Sequence, residues 1–401
     1  MDWQTPEDTV PSAFITEANT RSVLGKPPAT GAWREGDPVG NRQFASLGPM
    51  TLERGGELPS VRVAYETAGT LNADRSNAIL IVHALTGDSH VVGTTGPGHP
   101  TTGWWNGLVG PGRAIDTDTW FVVAPNMLGG CQGTTGPASH APDGAEWGAR
   151  FPFVTIRDQV AVQLALTDLL GIEKWAAVIG GSMGGMQSLE WAVSQPDRLE
   201  RVAVLAAPAF SNADAIALNF LQIEAVHLDA SFADGAYYEA AEGEGPHRGL
   251  ALARRMALHS YRSPNELNDR FERSWQSGLS PLGGGGRYAV ESYLDYHGNK
   301  FTRRFDANSY LTLVSAMSSH DVGRGRGGTA KALAGATAKA LVLGIDSDRL
   351  YPVVEQEHVA AHLPGNIDGT VPHIISSPFG HDGFLIEERL VGAQILRLLD
   401  A

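Results

Sequence analysis

The stretch Ala177-Val178-Ile179-Gly180-Gly181-Ser182-Met183-Gly184-Gly185 constrains the fold of this chain more than any other. An apolar run of core-strand length ends in G-x-S-x-G and passes at once into apolar residues recurring every three or four positions, the mark of a helix. So tight a reversal requires a strained serine backbone and small neighbours, and Gly180, Gly184 and Gly185 supply the room. Ser182 then stands at a helix N-terminus whose N–H groups point at its oxygen. A serine so placed is a nucleophile for covalent acyl chemistry. The bland alternative, a Gly-rich turn with an incidental serine, is disfavoured by the flanking strand and helix.

Other short apolar runs bounded by turn residues lie at 61–65, 78–85, 120–124, 176–180, 201–205 and 340–343, and read as buried strands. Helical patterns at 157–170 and 183–194 separate several of them. Strand alternating with helix implies a mainly parallel sheet, and with the serine elbow it predicts an α/β-hydrolase fold. The alternation stops after Pro208, and residues 211–325 read as helices, among them 215–230 and 250–261, joined by loops. This predicts a helical lid inserted between two core segments, 46–210 and 326–401. The glycine runs at 283–286 and 323–328 mark a loop tip and the return hinge. Neither run has the strand–loop–helix context of a phosphate-cradling motif. Residues 1–45, polar and rich in Pro and Gly, read as an arm packing on the surface or on a partner subunit.

A 401-residue chain with 42% hydrophobic content can bury such a core. Its formal charge of −14 leaves no broad cationic face for nucleic acid. No window reaches the roughly 20 apolar residues of a membrane span, and the N-terminal residues lack the basic and apolar regions of a signal peptide. A soluble, cytoplasmic protein is expected. The single cysteine, Cys131, excludes an intrachain disulfide and a Cys-rich cluster, and no H-E-x-x-H occurs, so no metal is expected.

Serine needs a base and the base an orienting acid, which in this fold follow in the order Ser, acid, His. Downstream, the run 341–345 empties into a loop holding two carboxylates, Asp346 and Asp348. Residue type alone leaves both open. His381, on a Gly-flanked loop before a final helical pattern at 384–399, is the natural base. The N–H of Met183 and that of Leu85, after the early strand, are the expected oxyanion donors. His83 reads as a support for that loop.

Taken together, His83-Ala84-Leu85-Thr86-Gly87, the stretch from Asn126 through Gly130-Cys131-Gln132-Gly133-Thr134-Thr135-Gly136-Pro137, the Ser182 elbow and Gly380-His381-Asp382 closely resemble the homoserine O-acetyltransferase family of methionine biosynthesis. The likeness covers nearly the whole chain after residue 40. It implies Ser182 as nucleophile, His381 as base and, through Ser347-Asp348-Arg349-Leu350-Tyr351-Pro352, Asp348 as acid, leaving Asp346 to loop structure. It also nominates Arg254, in Ala253-Arg254 ahead of Tyr261-Arg262-Ser263, for the substrate carboxylate, and Asp382 for its ammonium group. A helix N-cap is the structural alternative for Asp382.

The implied reaction is ping-pong transfer of acetyl from acetyl-CoA to the hydroxyl of L-homoserine, with no tightly bound cofactor and with a homodimer formed through the lids. Arg324 and Arg326 are candidates for a cationic CoA entrance. Succinyl-CoA as donor, L-serine as acceptor, and a plain serine esterase are the competing activities; a binding scaffold is disfavoured because every triad position is filled.

Overall fold

The computed structural model describes residues 23–401; the first part of the predicted arm, 1–22, lies outside them. The central sheet has eight strands: β1 (Gln43–Thr51), β2 (Glu57–Ala68), β3 (Ala78–Val82), β6 (Phe121–Pro125), β7 (Ala177–Gly181), β8 (Arg201–Leu205), β9 (Lys339–Ile345) and β10 (His373–Ile375). A small two-stranded ladder, β4 (Val109–Gly110) with β5 (Ile115–Asp116), lies apart. The sheet order is β1-β2-β6-β3-β7-β8-β9-β10; β1 and β2 pair antiparallel, as do β2 and β6, and every other pairing is parallel. The α/β-hydrolase architecture expected from the alternation is therefore present.

The reason lies in the strand sequences. In β3, Ala78, Leu80 and Val82 belong to one hydrophobic cluster while Ile79 and Ile81 belong to the other, so both faces of the sheet are packed. Such strands must be apolar at every position, and β3 and β7 are buried throughout. One face carries the helices Ile156–Leu169 and Met183–Ser194; the terminal helix Glu388–Leu399 closes the other. No helix among the described residues is long and apolar enough to cross a membrane.

Between β8 and β9 the chain runs through helices Ala213–His227, His247–Tyr261, Pro264–Phe271, Ala289–Phe301, Ala307–Ser318 and Thr329–Leu333, and contributes no strand to the sheet. The described part of the arm is pinned to this region and to the core: Thr30 Oγ1 donates to Asp306 Oδ1 at 2.8 Å, and Trp33 N–H to the Cys131 carbonyl at 2.9 Å. Asp306, buried, also accepts the Tyr237 and Tyr238 hydroxyls at 2.6 and 3.1 Å. The described part of the arm gives way to sheet at Gln43. The final helical pattern is interrupted: Gly383–Ile386 and Glu388–Leu399 are separate helices, with Glu387 at ψ 49° between them.

Candidate active site

Ser182 joins β7 to the helix Met183–Ser194 with φ 57° and ψ −124°, a region L-residues avoid. Close packing holds it there. A Cβ on Gly184 would sit 2.1 Å from the Val82 carbonyl oxygen, and one on Gly180 2.4 Å from the backbone of Gly184. The Ser182 N–H donates to the Leu205 carbonyl at 2.9 Å, and its own carbonyl accepts from Met186 N–H at 3.0 Å, tying the strained residue to strand and helix at once.

His381 lies in the short 3-10 turn Gly380–Asp382 and is buried. Its Nδ1–H donates to Asp348 Oδ2 at 2.7 Å. The other oxygen of Asp348 accepts the N–H groups of Leu350 and Tyr351 at 2.8 and 3.0 Å, so the carboxylate cannot turn. Asp346 faces elsewhere: its Oδ1 accepts from Ser377 N–H at 3.0 Å and braces the loop ahead of the histidine. Geometry thus separates two carboxylates that residue type could not. The imidazole is enclosed by the rings of Tyr351, Phe384 and Tyr261 at 5.3, 5.5 and 5.6 Å. Phe384 also abuts the elbow, since a Cβ on Gly181 would meet its ring at 2.4 Å. Nε2 of His381 is buried and makes no hydrogen bond among the described residues, leaving it free to take a hydroxyl proton. Burial disfavours the imidazolium, but the charge and hydrogen bond of Asp348, with Asp382 adding, outweigh it and raise the His381 pKa.

Met183, first in its helix, has no intrahelical acceptor for its N–H. Leu85 N–H donates to no backbone carbonyl among the described residues. The Leu85 loop is positioned by His83, whose Nδ1–H donates to the Ala84 carbonyl at 2.7 Å and whose Nε2 accepts from Met127 N–H at 3.2 Å. That arrangement uses the neutral ring, and burial keeps its pKa low. His83 is the loop support that the sequence predicted. Arg304 reaches the same loop, donating to the Thr86 carbonyl and pairing with Asp88 at 3.2 Å.

Arg254 sits over the rings of Phe301 and Tyr261 at 5.2 and 5.6 Å, with a buried Nη1 that has no partner among the described residues. Asp382 makes no capping bond to the helix it precedes; it faces Arg262 Nε at 3.3 Å instead. Burial lifts Asp382 above the usual carboxylate range, against the pull of Arg262 and Arg254. The sequence reading missed Arg262 as a site residue, although it lies inside the Tyr-Arg-Ser segment that follows Arg254. Arg324 and Arg326 do not form an open cationic entrance: Arg324 pairs with Glu53 at 2.8 Å and Arg326 Nη1 with Glu190 at 2.8 Å. Cys131 is buried, which pushes its thiol up to about 12 and leaves it inert.

Glu66, His90 and His99 form a further buried cluster. His90 Nδ1 is bonded to Glu66 at 2.9 Å, His99 Nε2 accepts from Asn41 N–H at 2.9 Å, and the two rings stack at 3.8 Å. Stacked rings aim their in-plane lone pairs side by side rather than at one point, so the group reads as a hydrogen-bonded buttress and not as a metal cage.

A family model for the alpha/beta hydrolase fold matches residues 77–388. A protein of Leifsonia xyli subsp. xyli named homoserine O-acetyltransferase is 67% identical over 402 residues, covering 100% of both chains. The solved homoserine O-acetyltransferase from Bacillus anthracis superposes with a TM-score of 0.82 at 29% identity, covering 90% of this chain and 97% of that one. The solved esterase E22 superposes at 0.80 with 30% identity, over 89% of this chain and 99% of its own.

Proposed function

The chain belongs to the homoserine O-acetyltransferase family of α/β-hydrolase-fold enzymes, and from that premise we propose a residue-level course for the transfer it performs. Ser182 is the nucleophile, His381 the base and Asp348 the orienting acid. The reading rests on one observation above all: a buried histidine anchored at Nδ1 by a fixed carboxylate, with Nε2 unpartnered, packed on the same Phe384 ring that abuts the elbow of the strained serine.

His381 Nε2 takes the Ser182 proton as Oγ attacks the thioester carbonyl of acetyl-CoA. The oxyanion is held by the N–H groups of Leu85 and Met183, and on collapse the proton passes to the departing CoA thiolate. L-Homoserine then binds, with its carboxylate on the guanidinium of Arg254 and its ammonium group at Asp382. His381 takes the proton of the side-chain hydroxyl, which attacks the acetyl-serine; O-acetyl-L-homoserine leaves and Ser182 recovers its proton. Residues 211–325 act as the lid over a core of 46–210 and 326–401, keeping water from the acyl-enzyme. Contact of that segment with the His381 turn supports this role: Gly380 is so close to Tyr261 that a Cβ there would sit 2.5 Å from the Tyr261 carbonyl oxygen.

The working form is a cytoplasmic homodimer. Along the helix Ala213–His227 and just past it, Ile216, Phe220, Leu221 and Leu228 are 42, 57, 53 and 83% exposed, an apolar surface suited to a second copy. The test of the chemistry is intact mass after mixing with acetyl-CoA. An added acetyl on Ser182 that homoserine discharges supports the course; an adduct that water discharges as fast, or one that succinyl-CoA or serine forms or removes better, refutes it.

A further inference from the structure

We infer that the cavity between Arg254 and Arg304 seats the phosphate groups of the acyl-CoA donor, an inference that rests on the thioester chemistry proposed above. The cavity is about 300 Å³, and its lining brings Arg254, Lys300, Arg303 and Arg304 together with His297 and includes no carboxylate. In a chain of net charge −14 such a gathering is not the product of overall composition. Four cations around one space repel one another unless an anion joins them.

Their existing partners leave that charge largely uncompensated. Among the described residues no carboxylate forms an ion pair with Arg254, Lys300 or Arg303, whereas Arg304 has Asp88 at 3.2 Å. Arg303 is held by main-chain carbonyls, those of Val23 and Asn299 at 2.8 and 3.3 Å, which fix the side chain without cancelling its charge. His297 registers the field: burial, then Arg254 and Lys300, drive its pKa down to about 3, so it stays neutral.

Placement names the ligand. Arg254 lies over Tyr261, whose ring faces His381, and Arg304 donates to the Thr86 carbonyl on the loop that carries Leu85. Two of the lining residues therefore reach groups that flank the catalytic centre from opposite sides, while the lining itself holds none of the catalytic residues and Lys300 is exposed. An amino-acid acceptor needs one guanidinium for its single carboxylate, and Arg254 serves that. Lys300 and Arg303 are left over, and the reactant bearing further anionic groups is CoA, whose phosphates suit such cations.

The experiment compares acetyl-CoA with S-acetylpantetheine, the same thioester without phosphates, in wild type, Lys300→Glu and Lys300→Arg. Loss of one charge-assisted contact predicts a fall of about 10-fold in kcat/KM for acetyl-CoA in Lys300→Glu, with the maximal rate kept. S-Acetylpantetheine should be affected little, Lys300→Arg should restore the value, and salt should weaken acetyl-CoA use by wild type more than by Lys300→Glu. An equal loss with both donors, or an unchanged kcat/KM for acetyl-CoA, overturns the phosphate seat while leaving acetyl transfer standing. A wild type that transfers acetyl from neither donor overturns the reaction itself, and the seat with it.

Discussion

Replacing Asp348 by Asn should be far more damaging than its loss of one charge implies, because the surroundings dictate which way the amide will lie. In the native carboxylate Oδ1 accepts two backbone N–H groups, from Leu350 and Tyr351, and Oδ2 accepts from His381. An asparagine can satisfy both backbone donors only with its carbonyl oxygen, which turns its NH2 toward His381 Nδ1. That nitrogen must then become the acceptor, and the ring proton moves to Nε2, where it blocks removal of the Ser182 proton. A wrong-tautomer histidine in a serine triad lowers kcat by about 10⁴, or roughly 5 to 6 kcal/mol of activation free energy. Asp346→Asn keeps an oxygen for Ser377 N–H and should cost about 10-fold or less, the scale of one weakened hydrogen bond. The assay is thiol release from acetyl-CoA in the presence of homoserine, with circular dichroism to establish that both variants fold. A loss at Asp346→Asn equal to or larger than that at Asp348→Asn would refute the assignment.

The pH profile of kcat/KM for acetyl-CoA should show an acidic limb above the ordinary histidine value, since the active base is neutral and Asp348 raises the His381 pKa; in Asp348→Asn that limb should move to lower pH, as burial is then opposed only by the weaker pull of Asp382. Ser182→Gly and Ser182→Ala should both form no acetyl-enzyme, but glycine, at ease at φ 57°, should be the more stable by about 1 kcal/mol in urea unfolding. Arg254→Lys should raise the KM for homoserine about 10-fold or more while the first burst of thiol from acetyl-CoA persists, because lysine keeps the positive charge beside the donor cavity but loses the planar fork that the homoserine carboxylate needs. If the proposed dimer forms through the helix Ala213–His227, wild type should elute as a dimer in size-exclusion chromatography and the double variant Ile216→Glu, Phe220→Glu as a monomer; a wild type that elutes as a monomer would overturn the dimer, and a dimeric double variant would overturn this interface.

The elbow was legible in the sequence because it is built from local demands: glycines crowded around a serine, with a strand before and a helix after, answer to a reversal that has no room for side chains. The strands β3, β7 and β8 were legible for a similarly local reason, since burial on two faces admits only apolar residues. Strand β1 was not, because Gln43–Thr51 is an edge strand with mostly exposed or half-exposed positions. Strand β10, at the other edge, is only His373–Ile375. The pairing of His381 with Asp348 rather than Asp346 depends on where a loop turns, which is a tertiary matter: residue type left both open, resemblance named Asp348, and the loop brings its Oδ2 to 2.7 Å from His381 Nδ1. Arg324 and Arg326 show the opposite failure. Composition reveals a cation but not its partner, and Glu53 and Glu190 are distant in sequence.

The same limit governs the choice between transferase and esterase. Esterase E22 and the Bacillus anthracis acetyltransferase superpose on this chain almost equally well, so neither the sheet nor the elbow distinguishes acetyl transfer from hydrolysis. An acetyl-serine next to a neutral histidine reacts with whichever hydroxyl group is activated there, and water is present at far higher concentration than any amino acid. Transfer prevails only if the acceptor is held in place, where effective molarity exceeds that of water, or if water is kept out. Both devices would have to come from the segment between β8 and β9, because Arg254 lies on one of its helices and Tyr261 closes over the His381 turn from the end of the same helix. It follows that Arg254→Ala should do more than weaken homoserine binding. With the acceptor unanchored and its place open, the acetyl-enzyme should discharge to water, so that acetate appears where wild type forms the ester. Mass spectrometry of the products, at homoserine concentrations that saturate wild type, measures that ratio; a variant that merely slows without releasing more acetate per turnover would show that water is excluded independently of Arg254.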